Sequence, residues 1–529
     1  MHSRHSGSRF PNPHSFYVPE KIAALNGLSV STEPGIRQPS SILMIVTGGS
    51  GDIQIDGEGC KISVGSVLCC DSTLDIELRP QYELQGVWIE YSVMPLPAES
   101  TSPLNSSVPL GSCTSNACAL ASRLFKAWNE PEAQKPFAVQ LLFTELLAEL
   151  HSTILERADS PLHWLEQALQ YIENHFDEDL TRSHMAELAK VSPEHFSRAF
   201  RRNTGQTFNS YVTLLRIRRA QQRILTGAPN LTALALEVGY GEGTYLSRKF
   251  KQVVGISPTA YQRKSKRIVS LNFNHTASLR AIEVMPLLGV YSAWMESLER
   301  VSSAQKLRCE ASSATSIYES VAAARPDVII SYALPEESKQ LLPLAPLIEL
   351  PYMQMSWREQ FRLIAGIAGR QAQADAWLRR YDELCHDANI RLDRLIGPRG
   401  TAIVWEFGEE SAYCFSSSYG HGSQIIYGDL GFKPPLSLTG KGLISKGYVE
   451  TSIEGIADYP ADHIFITSGP SSPQGEMRFN TLLHSSRWLE LDAVRNTQVY
   501  HLNEPELFYG FDPLSSLAQL KLLMQHLIS

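Results

Sequence analysis

The sequence predicts a multidomain protein in three architectural parts: an N-terminal β-barrel with helices, an all-α middle, and a two-lobed α/β part towards the C-terminus. Three observations predict it. Residues 15–98 alternate apolar and polar side chains between closely spaced Gly and Asp turns, the pattern of short strands with one buried face. Residues 182–262 carry one helix-turn-helix pattern twice, Phe196 and Phe200 recurring as Leu246 and Phe250. From Arg267 onwards, apolar runs alternate with segments of helical period, which implies a parallel sheet flanked by helices.

Length and charge set the frame. A chain of 529 residues holds about three or four domains. It is 43% apolar, enough to bury sizeable cores, which excludes a disordered protein. The net charge of −8 hides an asymmetry, because residues 160–267 carry 16 Lys/Arg against 9 Asp/Glu. A basic block in an otherwise acidic chain fits contact with phosphates. The first twenty residues are polar and broken by Pro11, Pro13 and Pro19, and the run Ile42–Val46 is too short for a bilayer, so neither a signal peptide nor a membrane span is expected and the cytoplasm is the expected location. The eight cysteines show no Cys-x-x-Cys spacing. Cys69 and Cys70 are neighbours on a strand, Cys113 and Cys118 fall in a loop and a helix, and all are read as reduced and mostly buried.

In chain order, residues 1–14 read as a loose leader. Residues 15–98 follow as strands such as Ser41–Val46 and Gly51–Gly57. The cluster Gly48-Gly49-Ser50-Gly51 lacks a following Gly-Lys-Ser/Thr and a helix start, so it reads as a hairpin turn and not a phosphate loop. The turn order from Val64-Gly65-Ser66-Val67-Leu68 to Val87-Trp88-Ile89-Glu90-Tyr91 resembles the cupin-type sensor barrel. Such barrels can hold a metal through histidines, but none lies between His14 and His151, so no metal site is expected. Pro95 to about Gly111 reads as a Pro/Ser-rich linker. Two helices, about Asn116–Asn129 and Pro136–Glu156, occupy the segment 112–158. Leu141, Leu142, Leu146, Leu147 and Leu150 form an apolar stripe for either dimerisation or internal packing.

Residues 160–264 form the all-α part, opened by a helix over Leu162–Phe176. Ser192 can cap the helix that Pro193 starts. Phe196 and Phe200, four apart, face inward, leaving Glu194, His195, Ser197, Arg198, Arg201 and Arg202 on the other faces. In the repeat, Leu231, Leu234, Ala235 and Val238 make the supporting helix and Gly239-Tyr240-Gly241 the turn. Thr244, Tyr245, Ser247, Arg248 and Lys251 surround Leu246 and Phe250. With Thr204-Gly205-Gln206 and Gly255-Ile256-Ser257-Pro258, these residues resemble the double helix-turn-helix DNA-binding domain of the AraC/XylS family of transcription regulators. The resemblance implies two recognition helices entering successive major grooves about 34 Å apart. It places Glu194, Ser197 and Arg198, and then Thr244, Tyr245, Ser247 and Arg248, towards base edges. Arg at such a position pairs with guanine for roughly 1–3 kcal/mol of discrimination. Arg201, Arg202, Lys249, Lys251 and Lys264 are expected on phosphates. Arg216, Arg218 and Arg219 lie on the linking helix, where a structural role is open. The implied partners are double-stranded DNA, RNA polymerase, a small-molecule effector and a second copy of the chain.

Residues 267–529 form the α/β part. Strands are expected at Arg267–Leu271, Arg325–Ser331 and Ala345–Leu350, with helices at Leu279–Leu288 and Ser316–Ala324 and one nearly unbroken helix from Trp357 to Leu395. A second set follows, with strands at Thr401–Phe407, Asp462–Thr467 and Val499–Leu502, a helix near Ser423–Leu430 and a closing helix at Pro513–Ile528. Two α/β lobes joined by one long helix, with Lys266–Leu271, Arg325–Ile330, Ser356–Gly369, Ala374–Tyr381, Trp488-Leu489 and Val499-Tyr500, resemble the class III periplasmic binding proteins. That resemblance implies a ligand between the lobes and, on a DNA-binding chain, a regulator (most simply an activator) that senses a ferric siderophore for its uptake genes. By the rule that ligands sit at strand C-termini, the candidates are Asn274, Tyr332, Tyr352, Trp405, Tyr419, His421, Arg478 and Tyr509. No catalytic residue, resident metal or cofactor is expected. Two alternatives stay open: a regulator whose N-terminal barrel senses a sugar or other metabolite, and a siderophore-processing enzyme. Against the enzyme, no Gly-x-Ser-x-Gly or His-Glu-x-x-His occurs.

Overall fold

A computed structural model of the chain describes residues 15–25, 41–48, 50–55, 58–71, 76–80, 84–95, 108–129, 135–158, 163–228, 230–298, 302–307, 314–332, 341–351, 354–470, 472–502 and 504–528. It divides into two compact units, Met1–His175 with Leu180–Phe208, and Phe176–Asp179 with Asn209–Ser529. The division falls inside the stretch expected as one all-α domain. The first helix-turn-helix belongs to the N-terminal unit and the second to the C-terminal one.

In the N-terminal unit, β1 (Ser15–Ala24), β2 (Ser41–Gly48), β3 (Ser50–Ile55), β4 (Glu58–Ser63), β5 (Ser66–Asp71), β6 (Ile76–Pro80), β7 (Gln85–Pro95) and β8 (Val108–Ser112) make two antiparallel sheets, ordered β1-β7-β2-β5-β8 and β4-β3-β6. β2 is apolar on both faces because both are covered. Ile42, Met44 and Val46 join Trp88, Ile53, Ile62 and Ile76 in one core. Leu43 and Ile45 join α1 (Ser115–Trp128) and α2 (Lys135–Ala158) in another. The linker expected up to Gly111 is corrected: Val108–Ser112 pairs with β5. The leucine stripe is corrected too, since Leu142, Leu146, Leu147 and Leu150 are buried whereas Leu141 is exposed. The leader 1–14 lies outside the described residues. Helices α3 (His163–Asn174), α4 (Arg182–Leu188) and α5 (Pro193–Thr204) complete the unit.

The C-terminal unit begins with α6 (Phe208–Thr226), α7 (Leu231–Glu237), α8 (Gly243–Val254) and α9 (Pro258–Arg263). Its first lobe is a parallel sheet of β9 (Ile268–Ser270), β10 (Leu288–Gly289), β11 (Val328–Tyr332) and β12 (Leu347–Leu350), in the order β10-β9-β11-β12. Around it lie α10 (Phe273–Ala281), α11 (Ala293–Leu298) and α12 (Ala314–Ala324). The helix expected at Leu279–Leu288 is therefore displaced, starting where Asn272 caps α10 and ending so that Leu288 can pair as a strand. One sheet face, Val269, Ile329 and Leu347, packs on Val321 and Leu341. The other, Ile268, Val328, Ile330, Ile348 and Leu350, shares a single core with Ile217, Ala220, Leu234, Leu246, Phe250 and Tyr261 of the second helix-turn-helix. The second helix-turn-helix and the first lobe are thus one packed body.

The expected Trp357–Leu395 helix is broken. Gly369 at φ +68° ends α13 (Trp357–Ala368), and α14 (Gln371–Leu395) restarts after Arg370, as a left-handed glycine cap does. Ile364 and Ile367 of α13 lie in the core shared with the second helix-turn-helix, while its Trp357, Phe361 and Ala365 lie in the second lobe's core. Arg358 clamps this junction, 2.7 Å from Asp429, whose other oxygen accepts from Tyr381 at 2.7 Å. The second lobe holds β13 (Ala402–Phe407), β14 (Ser411–Phe415), a π-helical turn Gln424–Asp429, β15 (Tyr448–Ser452), β16 (His463–Ser468) and β17 (Val499–His501), ordered β15-β14-β13-β16-β17. It is mixed and not purely parallel, since β14 and β15 add antiparallel. The closing helix is Pro513–Ile528.

Candidate functional site

Each candidate reading helix stands on a capped, aromatic-packed frame. On α5, Ser192 accepts from the His195 N–H, Pro193 fills the first turn, and Gly205 ends the helix at φ +72°. Phe196 and Phe200 are fully buried, with ring centroids 5.5 Å apart and Phe208 against both. Glu194, Arg198, Arg201 and Arg202 are left exposed. Ser197 is half-buried and donates to the Pro193 carbonyl at 2.8 Å, so its hydroxyl is spent on the helix backbone.

On α8, Thr244, Tyr245, Arg248 and Lys251 are exposed, and Ser247 and Lys249 half-buried. Arg248 lies over the Tyr245 ring at 5.0 Å and Lys249 at 5.6 Å. Tyr245 packs on Tyr240, which Arg216 covers from 5.2 Å. This stacking pre-orients Arg248, as planar guanidinium on an aromatic face does. Arg216 is structural: it donates to the carbonyls of Phe176 and Glu178. Gly239 at φ +82° lets the turn pass Asp177, whose carbonyl oxygen a Cβ would meet at 2.5 Å. Lys264 departs from the phosphate expectation, because its ammonium pairs with Asp327 at 2.8 Å.

The nominated ligand residues separate into three groups. Tyr419, His421 and Tyr509 come together: His421 lies 6.0 Å from the Tyr419 ring and 5.6 Å from Tyr509. Residues 420–422 all have positive φ, +97°, +57° and +86°. A non-glycine residue held left-handed marks strain kept by its surroundings. Here those surroundings are Phe508, which a Cβ on Gly422 would meet at 2.6 Å, and Phe511 beside Gly420. The turn presents His421 to Glu406, with Nδ1 2.6 Å from Oε2, and stacks it on Phe415 at 4.0 Å. Burial raises the Tyr419 and Tyr509 pKa values, with Tyr448 and then Glu406 adding for Tyr419 and Glu406 for Tyr509, so both phenols are kept as donors.

Asn274 and Tyr332 are a structural bridge. Asn274 Nδ2 donates to the Tyr332 hydroxyl at 3.3 Å, that hydroxyl to Gln360 at 3.2 Å, and Asn274 Oδ1 accepts from the Phe511 N–H at 2.9 Å. Two candidates are corrected. Trp405 is fully buried against Tyr459, and Arg478 is exposed with its guanidinium 3.8 Å from the Glu410 carboxylate. Tyr352 lies outside the described residues. Glu406, Phe415 and Tyr448 were missed. Glu406 is one position along the strand from Trp405, on the opposite face, beside a register shift that pairs it with Ser468. Bulges re-aim side chains in this way. The Gly-His-Gly turn was the legible signal.

Two family matches coincide with these folds: a helix-turn-helix domain over residues 185–264 and a periplasmic binding protein over residues 290–506. The chain is 26% identical over 398 residues to the HTH-type transcriptional activator Btr of Bacillus subtilis (strain 168), covering 73% of each chain. It is 31% identical over 205 residues to the iron(3+)-hydroxamate-binding protein FhuD and 29% over 215 to YxeB, both of that organism. These matches cover 38% and 40% of this chain and 63% and 65% of the two binding proteins, under two thirds of their length. The chain is a homologue of AraC-type helix-turn-helix activators that carries a periplasmic-binding-protein domain after its DNA-binding module.

Proposed function

We propose that the chain is a cytoplasmic transcription activator whose C-terminal lobes sense a ferric siderophore of the hydroxamate class. The observation that carries it is the single core joining the second helix-turn-helix to the first lobe. A ligand that draws the second lobe in acts directly on the body that holds one reading helix, and so shifts the population of a DNA-competent arrangement. The cluster's side chains are aromatic rings, an imidazole and one carboxylate. They suit a neutral or cationic ferric hydroxamate, and a triply negative catecholate would face Glu406. The likeness to two iron(3+)-hydroxamate-binding proteins supports the same class. Glu194, Arg198, Thr244, Tyr245, Ser247 and Arg248 read bases and Arg201, Arg202, Lys249 and Lys251 hold phosphates, with RNA polymerase as the downstream partner.

The test is titration of the full chain with ferrioxamine B, followed by tryptophan fluorescence. Saturable quenching that the iron-free compound does not reproduce supports the reading, and its absence across ferric hydroxamates overturns it. Among the described residues of the N-terminal sheets, Ile42, Met44, Ile53, Ile62, Ile76 and Trp88 pack as one apolar core, a poor setting for a sugar's hydroxyls.

The active form is proposed to be a homodimer. Phe16, paired with Met94, and Phe137 and Leu141 of α2 are 62%, 56%, 89% and 61% exposed, and Gln140 holds the α2 end to the Tyr17 carbonyl at 2.9 Å. Sedimentation of Phe137→Glu with Leu141→Glu would leave monomer if this patch is the interface and unchanged mass if it is not.

A further inference from the structure

The described cysteines fall into two classes. Cys69, Cys385 and Cys414 are single thiols whose pKa values burial pushes up, to about 11, about 12 and about 12, which makes them poor nucleophiles. Cys113 and Cys118 are different. Their sulfurs lie 3.5 Å apart, close to van der Waals contact. Both are held by backbone. Cys113 follows β8, and its N–H donates to the Gly65 carbonyl at 2.8 Å. Cys118 sits in the first turn of α1, whose cap Thr114 accepts from the Ala117 N–H and donates to Glu149 of α2 at 2.7 Å. The Cys118 thiol also reaches the Val46 carbonyl at 3.8 Å. The pair therefore sits on the seam between the five-stranded sheet and the α1–α2 hairpin, with Cys113 buried and Cys118 half-buried.

We propose that Cys113 and Cys118 are a reversible dithiol–disulfide site that exchanges with small-molecule disulfides. The Cys118 thiolate, the more accessible, attacks one sulfur of the small disulfide RSSR. A mixed disulfide forms, and RS⁻ leaves and takes up a proton. The Cys113 thiolate then attacks the Cys118 sulfur, closing the Cys113–Cys118 bond and releasing the second RSH. Two protein thiols are oxidised, and one disulfide is reduced to two thiols. Closure needs about 1.5 Å of approach between the sulfurs, within reach of side-chain rotation. The ring spans only the residues between Cys113 and Cys118, so closing it removes little unfolded-state entropy. A small, weakly stabilised ring is the labile, regulatory kind of disulfide and not the structural kind. Its closure ties the end of β8 to the start of α1 and withdraws the Cys118 sulfur from Val46, so it acts where the sheet meets α1. This inference is independent of the ferric-ligand reading.

The experiment equilibrates the full chain in buffers of increasing oxidised-to-reduced glutathione, alkylates the remaining thiols and maps them by mass spectrometry. The expected result is loss of alkylation at Cys113 and Cys118 together, with loss of two hydrogens from that segment and full recovery on reduction. Cys118→Ser should remove the ring, and Cys113→Ser should instead trap glutathione on Cys118. Persistent alkylation of both residues in the most oxidising buffer, or a bond that joins either one to a different cysteine, overturns the proposal. Ferrioxamine binding in the same samples reports separately on the ligand site.

Discussion

The Arg218 side chain of α6 donates to the Leu342 carbonyl at 3.2 Å, and the same guanidinium continues to Pro343 and Leu344 at 3.0 and 3.1 Å. One turn on, Gln222 donates to the Leu347 carbonyl at 2.6 Å, where β12 begins. A residue of the DNA-binding module thus satisfies a run of carbonyls in the ligand domain. Replacing Arg218 by Ala removes these bonds from a half-buried guanidinium, and the expected loss is about 2 kcal/mol in chemical denaturation, within the range for bonds to charged groups once solvent screening is allowed for. Arg218→Lys should not rescue, because an ammonium cannot fork across three acceptors. Operator affinity should also become insensitive to effector in both variants. A fully coupled Arg218→Ala protein would show that the shared core alone carries the signal.

Arg198 and Arg248 occupy the same place in the two repeats. Each Ala substitution should cost roughly 1–3 kcal/mol at one guanine and relax specificity there, as measured by anisotropy on selected operator fragments. Arg201→Ala or Lys251→Ala should weaken all sequences alike and reduce the salt slope by about one. Unchanged sequence preference in the Arg198/Arg248 double variant would remove both from the base-reading set.

His421→Ala should weaken ferrioxamine binding about tenfold, equivalent to about 1.4 kcal/mol. Gly422→Ala should weaken it as much without removing any side chain, since its Cβ meets Phe508 at 2.6 Å in a left-handed backbone. Urea unfolding separates the two, because only Gly422→Ala should also lower the unfolding midpoint.

His275 is fully buried beside Tyr332, and burial pushes its pKa down to about 3 from 6.5. A depressed folded-state pKa means its contribution is fully present above pH 6.5 and is lost as pH falls towards the folded value. Stability of the C-terminal unit should therefore fall by about 1.4 kcal/mol per pH unit from this group below pH 6.5. His275→Leu should lack that slope, and urea denaturation at several pH values compares the two. Parallel slopes would show that His275 takes up its proton at the same pH in the folded and unfolded chains and contributes no pH dependence.

Much of the architecture was legible because its causes are local. Ser192-Pro193 and the Phe196/Phe200 spacing act within one or two turns, and the structure reproduces both. The break at Gly369 was not legible, because Trp357–Leu395 keeps its helical period across it and both helices feed the same core, so that only the left-handed backbone of Gly369 separates α13 from α14. Naming Trp405 and missing Glu406 has a simple cause: successive strand residues face opposite sides, and an apolar run does not say which side faces a cleft.

The sequence by itself determined the repeated helix-turn-helix pattern, the Ser192 cap and the alternation of strands and helices after Arg267, since propensity, capping and periodicity operate over a few residues. Only the tertiary structure decided that the second reading unit and the first lobe share one core, that Lys264 belongs to Asp327, and that Glu406, His421 and Tyr509 meet. Those relationships join residues far apart in the chain, and burial of common apolar surface, which has no sequence period, brings them together.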